Sequence, residues 1–202
     1  LLRDPKSEPR NLPGGAQEIE MAIQDRQFDT TGQLFFPDGS GADAATSNLN
    51  GTPPNPDIHP FWIPEFIGDV AVVNGAPWPY LNVEPKRYRF RLLDGSNARA
   101  YNLKFGTVPT YVIATDENYL DAPVQVNRVF MLPGQRRDII VDFSAFAGQT
   151  ITVTNNAQVP FPAGLSPVPY VDPANPLCDP VTHVCPADQP EMANIMRFVV
   201  AP

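Results

Sequence analysis

The chain is poor in almost everything that would let it act alone as an enzyme, a transporter or a nucleic-acid binder. Its 202 residues contain no run near the roughly 20 apolar residues that a membrane-crossing helix needs. The first residues, from Leu1 to Lys6, lack the basic start and apolar stretch of a secretion leader, so any export signal is expected upstream or not at all. Lys and Arg total 14 against 22 Asp and Glu, a formal charge of −8, which argues against phosphate-backbone partners that bind through clustered cations. Neither a Gly-x-Gly-x-x-Gly turn nor a Walker lysine occurs, and Gly14–Gly15 precede a strand pattern rather than a helix, so nucleotide hydrolysis is not expected. There are only two histidines, His59 and His183, both in proline-rich surroundings, and no Gly-x-Ser-x-Gly elbow that would present a nucleophile to either.

What the chain has is proline and alternation. With 25 prolines and 13 glycines long helices are disfavoured, while 43% hydrophobic residues are enough for one core. Residues 1–16 read as a linker from a preceding domain and 17–202 as one β-domain. From Glu18 onward Ile19, Met21 and Ile23 alternate with Glu18, Glu20 and Gln24, the pattern of a strand with one buried face. Two apolar runs flank Asn74-Gly75, a turn signal, and Pro77 and Pro79 place the second run at a sheet edge. Arg87, Arg89 and Arg91 alternate with Tyr88, Phe90 and Leu92, and further strands are expected over 100–105, 110–114, 124–132, 138–143, 150–155 and 194–200. About nine strands at this spacing predict an all-β sandwich or barrel. Long proline-rich loops interrupt it at 37–60 and at 157–190, the second holding nine prolines and both cysteines.

Each polar group has a plain structural role to set beside a chemical one. His59, just before Pro60, is expected to be a solvent-facing or locally bonded loop histidine. Cys178 and Cys185 are expected to close a short disulfide rather than to stay free or, with His183, to hold a metal, since three donors lack a fourth and the spacing is not C-x2-C. Asn50-Gly51-Thr52 is the one glycosylation sequon, weakened by Pro53. The arginine row can bind an anion, but its expected role is the solvated side of a half-buried strand, or pairing with acids on a neighbouring strand or domain. The pairs Asp116-Glu117 and Asp138 with Asp142 are expected to be surface or structural charges. Copper is excluded by inventory: an electron-entry site wants two histidines and a cysteine, a dioxygen-reducing cluster wants several more histidines, and His-x-His and His-Cys-His are both absent. No metal, cofactor or catalytic residue is therefore assigned to this chain.

Specific motifs then identify a resemblance. Val-Asn-Gly at 73–75, Trp-Pro-Tyr at 78–80 and Tyr-Arg-Phe-Arg at 88–91, within 64–103, together with 132–143 and 193–200, resemble the second cupredoxin-like domain of three-domain multicopper oxidases, in the spore-coat laccase and bilirubin oxidase branch. Upstream, 2–4, 23–26 and 32–35 resemble the exit from a first domain and the lead-in to a second. The resemblance implies a cupredoxin-like Greek-key sandwich. It also implies a parent that oxidises phenols, pigments, aromatic amines or metal ions one electron at a time and reduces dioxygen to water. The coppers would be held by the flanking domains, so the isolated chain is expected to be inactive, and with the disulfide it implies an extracellular or periplasmic setting. A middle domain freed of these partners is expected to self-associate through orphaned surface.

A different class of function is a stand-alone β-sandwich that binds carbohydrate or protein through exposed aromatics such as Trp62, Trp78 and Tyr80. Two departures from the family pattern stand out: Asp116-Glu117-Asn118 where Asp-Gly-Gly is common, and the 157–190 insertion. In the family that loop approaches the substrate pocket, so here it is expected to form part of a pocket wall or lid. Deleting residues 160–188 from the full-length parent is expected to change KM for bulky reductants, and unchanged values across a panel of them would discard this role.

Overall fold

A computed structural model describes residues 8, 11–28, 31–34, 66–116, 118–159, 161–162 and 192–202. Among these, twelve strands and one 3-10 turn, Gly15–Gln17, make up the regular structure. The strands are β1 (Glu18–Arg26), β2 (Val70–Val73), β3 (Ala76–Pro77), β4 (Tyr80–Val83), β5 (Arg87–Asp94) and β6 (Tyr101–Phe105), followed by β7 (Thr110–Ala114), β8 (Tyr119–Val126), β9 (Val129–Met131), β10 (Arg136–Asp142), β11 (Thr150–Asn155) and β12 (Asn194–Val200). They form a seven-stranded sheet in the order β3-β2-β1-β5-β10-β7-β8 and a five-stranded sheet in the order β4-β12-β11-β6-β9. Both sheets are mixed, because β1 runs parallel to β5 and β4 parallel to β12. The architecture is the all-β, cupredoxin-like sandwich that the strand spacing and the motifs predict.

Alternation decides which face of each strand turns inward. Met21 and Ile23 of β1, Tyr88, Phe90 and Leu92 of β5, and Leu103 and Phe105 of β6 are all buried. Aromatic rings join the sheets at the centre: Phe90 of β5 lies 5.1 Å from Phe198 of β12, and Phe143, just after β10, also lies 5.1 Å from Phe198. Tilted contacts at these distances favour the quadrupoles of the rings and add to the gain from apolar area.

The Asn74-Gly75 turn forms as expected, with Val73 opposite Ala76 and positive φ at both turn residues. Asn74 also ties this hairpin to β1, accepting from the Ala22 N–H at 2.8 Å and donating to the Glu20 carbonyl at 2.8 Å. Two expected strands divide. The run after the turn places β3 at the edge of the larger sheet, then passes through Trp78, at φ 38, to β4 at the edge of the smaller one. Likewise the strand expected over 124–132 is two, β8 on the larger sheet and β9 on the smaller. Apolar periodicity alone does not reveal a strand that changes sheets, since its inward face stays inward. At this second crossing Arg128 Nη1 donates to the Asn102 carbonyl at 3.0 Å. Both open sides of the sandwich are thus closed by chain passing from one sheet to the other.

The lead-in to β2 lies against the end of β1, where the Asp69 N–H donates to the Arg26 carbonyl at 3.1 Å. A Cβ at Gly68 would stand 2.6 Å from the Arg26 backbone nitrogen and oxygen. Gly68→Ala is therefore expected to destabilise the domain by about 1–3 kcal/mol through overpacking, read as a lower urea midpoint. An unaltered midpoint would mean that this approach is not so close.

Candidate functional site

The outer face of the larger sheet carries the arginine row, and the structure divides it. Arg87, at the start of β5, is exposed and donates through Nε to Asp142 Oδ2 at 2.8 Å. Arg89 is only 2% exposed, which corrects the expectation of a solvated row. β5 lies between β1 and β10, whose side chains cover its outer face. Glu18 sits beside Arg89 in the parallel register and Asp138 opposite Arg91 in the antiparallel one.

Arg89 spends all three nitrogens on this environment. Its Nε donates to both oxygens of Asp138 at 3.0 and 2.9 Å, and its Nη2 bonds Asp138 as well. Nη2 also donates to the Tyr119 hydroxyl at 2.7 Å, and Nη1 to Glu8 Oε1 at 2.6 Å. Arg91 Nε lies 2.7 Å from Glu18 Oε1, and Arg91 Nη2 lies 3.6 Å from Glu8 Oε1. Burial opposes the charge on Arg89, but the hydrogen bonds to Asp138 and Glu8 outweigh it and raise its pKa above the ordinary arginine value. The pairing with acids on neighbouring strands is as expected. The participation of Glu8, from the segment read as a linker, was not anticipated and has no periodic signal to reveal it.

Beside this cluster opens a cleft of about 490 Å3 lined by Arg91, Leu93, Asp116, Tyr119, Arg136 and Asp138, among others. Asp116, one of the departures from the family pattern, has a structural role at its rim. Its Oδ1 accepts from the Arg136 N–H at 2.6 Å, and its Oδ2 lies 3.3 Å from Arg137 Nη1. The second recess, about 510 Å3, runs along β4 and β12 and is lined by Trp78, Pro79, Tyr80, Met196, Arg197 and Val199 with three polar neighbours. Here the structure brings together two of the aromatics singled out in the sequence, Trp78 and the 69% exposed Tyr80.

The remaining expected site residues, His59, Trp62, His183, the sequon Asn50 and the pair Cys178 and Cys185, lie outside the described residues, as does the 157–190 loop apart from 157–159 and 161–162. Among the described residues no three His, Cys, Asp or Glu side chains are grouped to hold a metal, and none of them is a histidine or a cysteine. Copper, which calls for imidazole and thiolate, does not fit the donors they offer. A further polar cluster that the sequence reading missed lies in the core, around Asp25, Asp94 and Arg99. It had a signal: Asp25 continues the buried series Met21, Ile23, and Asp94 continues Tyr88, Phe90, Leu92.

Arg89→Met is expected to leave Glu8, Glu18 and Asp138 facing one another without their main counter-charge and to destabilise by about 3–5 kcal/mol. Arg87→Met, at the exposed end of the row, is expected to lower the urea midpoint far less. Equal effects of the two would refute the division of the row.

A search among known proteins agrees with this architecture. The Multicopper oxidase family profile matches residues 36–164. The chain is 37% identical over 158 residues to a laccase of Bacillus subtilis (strain 168), covering 78% of this chain and 29% of that protein. It is 33% identical over 194 residues to the multicopper oxidase LPR2 of Arabidopsis thaliana, covering 95% of this chain and 28% of that protein. Among solved structures it is similar to the McoA multicopper oxidase of the hyperthermophile Aquifex aeolicus, with 31% identity, a TM-score of 0.59, and coverage of 94% of this chain and 32% of that one. The chain thus spans less than a third of these relatives, and within that share the chain belongs to the multicopper oxidase family.

Proposed function

We propose that the chain is the central, copper-free domain of a three-domain multicopper oxidase in the spore-coat laccase and bilirubin oxidase branch. The donor set carries this reading: the family works with copper, yet the whole sequence has two histidines and neither His-x-His nor His-Cys-His. A span of 29% of the Bacillus subtilis laccase is about that of one domain in three. A stand-alone binding module would explain neither the family match nor that fraction.

In this reading the parent oxidises phenolic or pigment substrates one electron at a time and reduces dioxygen to water, while this domain contributes geometry. Its partners are the flanking copper domains, held in register by a rigid spacer, because a displacement on the order of 1 Å in a catalytic constellation costs rate heavily. Glu8, clasped by Arg89, would hold the incoming linker to the sheet. The Trp78–Tyr80 recess and the exposed Val124 are suited to cover by neighbouring domains, and in the isolated chain they would favour self-association. The 157–190 loop would line the substrate pocket. With a Cys178–Cys185 disulfide, the domain would work in an extracellular or periplasmic setting.

The coding sequence on both sides is expected to specify copper-ligand domains rich in His-x-His pairs, and a flank without them would overturn the central placement. The purified 202-residue chain is expected to keep no stoichiometric copper after dialysis and to oxidise no phenol unaided. A blue, active chain would refute the proposal.

A further inference from the structure

The apolar phase of β1 and of β5 ends in each case on an acid, and only one of the two acids, Asp25, pairs with the buried cation Arg99. Asp25 and Asp94 are 0% exposed and Arg99 is 1% exposed. β1 and β5 are parallel neighbours with Ile23 beside Asp94, which brings the two carboxylates to the same end of the sheet. Asp25 Oδ2 accepts from Arg99 Nε at 3.2 Å and from the Gly68 N–H at 2.6 Å, while Arg99 Nη2 donates to the Gly68 carbonyl at 2.6 Å. These bonds form a two-point clasp on the lead-in to β2.

Asp94 is less well provided for. Its Oδ1 accepts from the Ser96 N–H at 3.0 Å, and Ser96 Oγ in turn accepts from the Asp25 N–H at 3.1 Å and lies 2.9 Å from the Tyr101 hydroxyl. Among the described residues, Asp25 Oδ1, Asp94 Oδ2 and Arg99 Nη1 are buried without a hydrogen-bond partner. Two buried carboxylates thus lie in a cluster with one guanidinium, and it is bound to Asp25. A low-dielectric interior does not hold an uncompensated charge when a proton can neutralise it.

We propose that Asp25, Asp94 and Arg99 form a buried proton-binding site in which Asp94 carries the proton and Asp25 keeps its pair with Arg99, so that proton release loosens the clasp on Gly68. Asp94 is the proton carrier because Asp25 has the guanidinium and the Gly68 N–H, whereas Asp94 has one N–H and faces the charge of Asp25. Burial pushes the Asp94 carboxyl up to about 7, with the Ser96 N–H opposing that rise and the Asp25 charge adding to it. The other titratable groups here are Asp69, itself raised by burial, and Tyr101, whose pKa burial lifts above the ordinary tyrosine value so that its hydroxyl stays neutral. Once Asp94 ionises, its charge draws on Arg99, whose Nη1 has no hydrogen-bond partner among the described residues, and the bond to the Gly68 carbonyl weakens.

The sign of the linkage is fixed. An acid whose folded pKa lies above its unfolded value binds more protons in the folded state between the two, so stability falls as pH rises from about 4 to about 7. Carbon-13 NMR of the aspartate carboxyl carbons in the wild-type chain reads the site directly. Asp94 is expected to titrate with a midpoint near 7, and the Gly68 amide resonance to shift with the same midpoint. In Asp94→Asn the Gly68 shift is expected to vanish, and the urea midpoint to lose the part of its fall between about pH 4 and about pH 7 that Asp94 supplies. Titration of Asp94 near the ordinary aspartate value in wild type would overturn the proton site. Titration of Asp94 near 7 with a silent Gly68 would overturn the clasp, and neither outcome depends on the variant folding.

Discussion

Strand β5 is covered on both faces, and much of the rest is arranged to make that tolerable. One face supplies Tyr88, Phe90 and Leu92 to the core; the other carries Arg89 and Arg91 among the acidic side chains of β1 and β10, with Arg87 left exposed at the strand's start. A strand with water on its outer face could leave such a row unpaired. Here Arg89 is withdrawn from water, so carboxylates have to be brought to it, and they come from β1 (Glu18), β10 (Asp138) and the segment ahead of β1 (Glu8). A one-residue slip of either neighbouring strand would point its acid to the opposite face. The ion pairs therefore specify register, a role in which buried charges are better attested than as net contributors of stability.

The inner face imposes the same constraint with a different outcome. Asp94 ends the apolar series of β5 and Asp25 that of β1, and the one guanidinium in the cluster pairs with Asp25. Outside, three acids surround two arginines, several of them partly exposed. Inside, where both acids are fully buried, the imbalance falls on a proton. One strand thus carries a fixed ionic lattice on one side and a titratable site on the other, about as close together as a β-strand permits.

Much of the fold was legible because period-two alternation is a direct consequence of one buried face. The β1, β5, β10, β11 and β12 segments and the Asn74-Gly75 turn could be read from it, since both turn residues need positive φ and Asn and Gly accept it. The divisions between β3 and β4 and between β8 and β9 could not, because alternation records which face is buried and not which sheet a strand joins. The depth of Arg89 was hidden for a related reason: alternation separates two faces without saying whether the second meets water or other side chains. Asp25 and Asp94 were within reach, being charges in an apolar phase, whereas Glu8 acts across 81 positions and leaves no local trace. For function, the motifs at 73–75, 78–80 and 88–91 carried the family, and the scarcity of imidazole carried the inference that its chemistry resides elsewhere.

Among the connections that cross between sheets, two join edge strands, through Trp78 on one side and Asn127–Arg128 on the other, and these lie at opposite ends of both strand orders. Sliding one sheet over the other would have to drag a covalent strap at each margin and also break the ladders that anchor β3, β4, β8 and β9. A two-layer sandwich is ordinarily softest against such shear, since apolar contacts between layers have little directional preference. Strapped at both margins, the domain resists deformation in that direction, and a load applied at one sheet is passed to the other with little lost to internal slip.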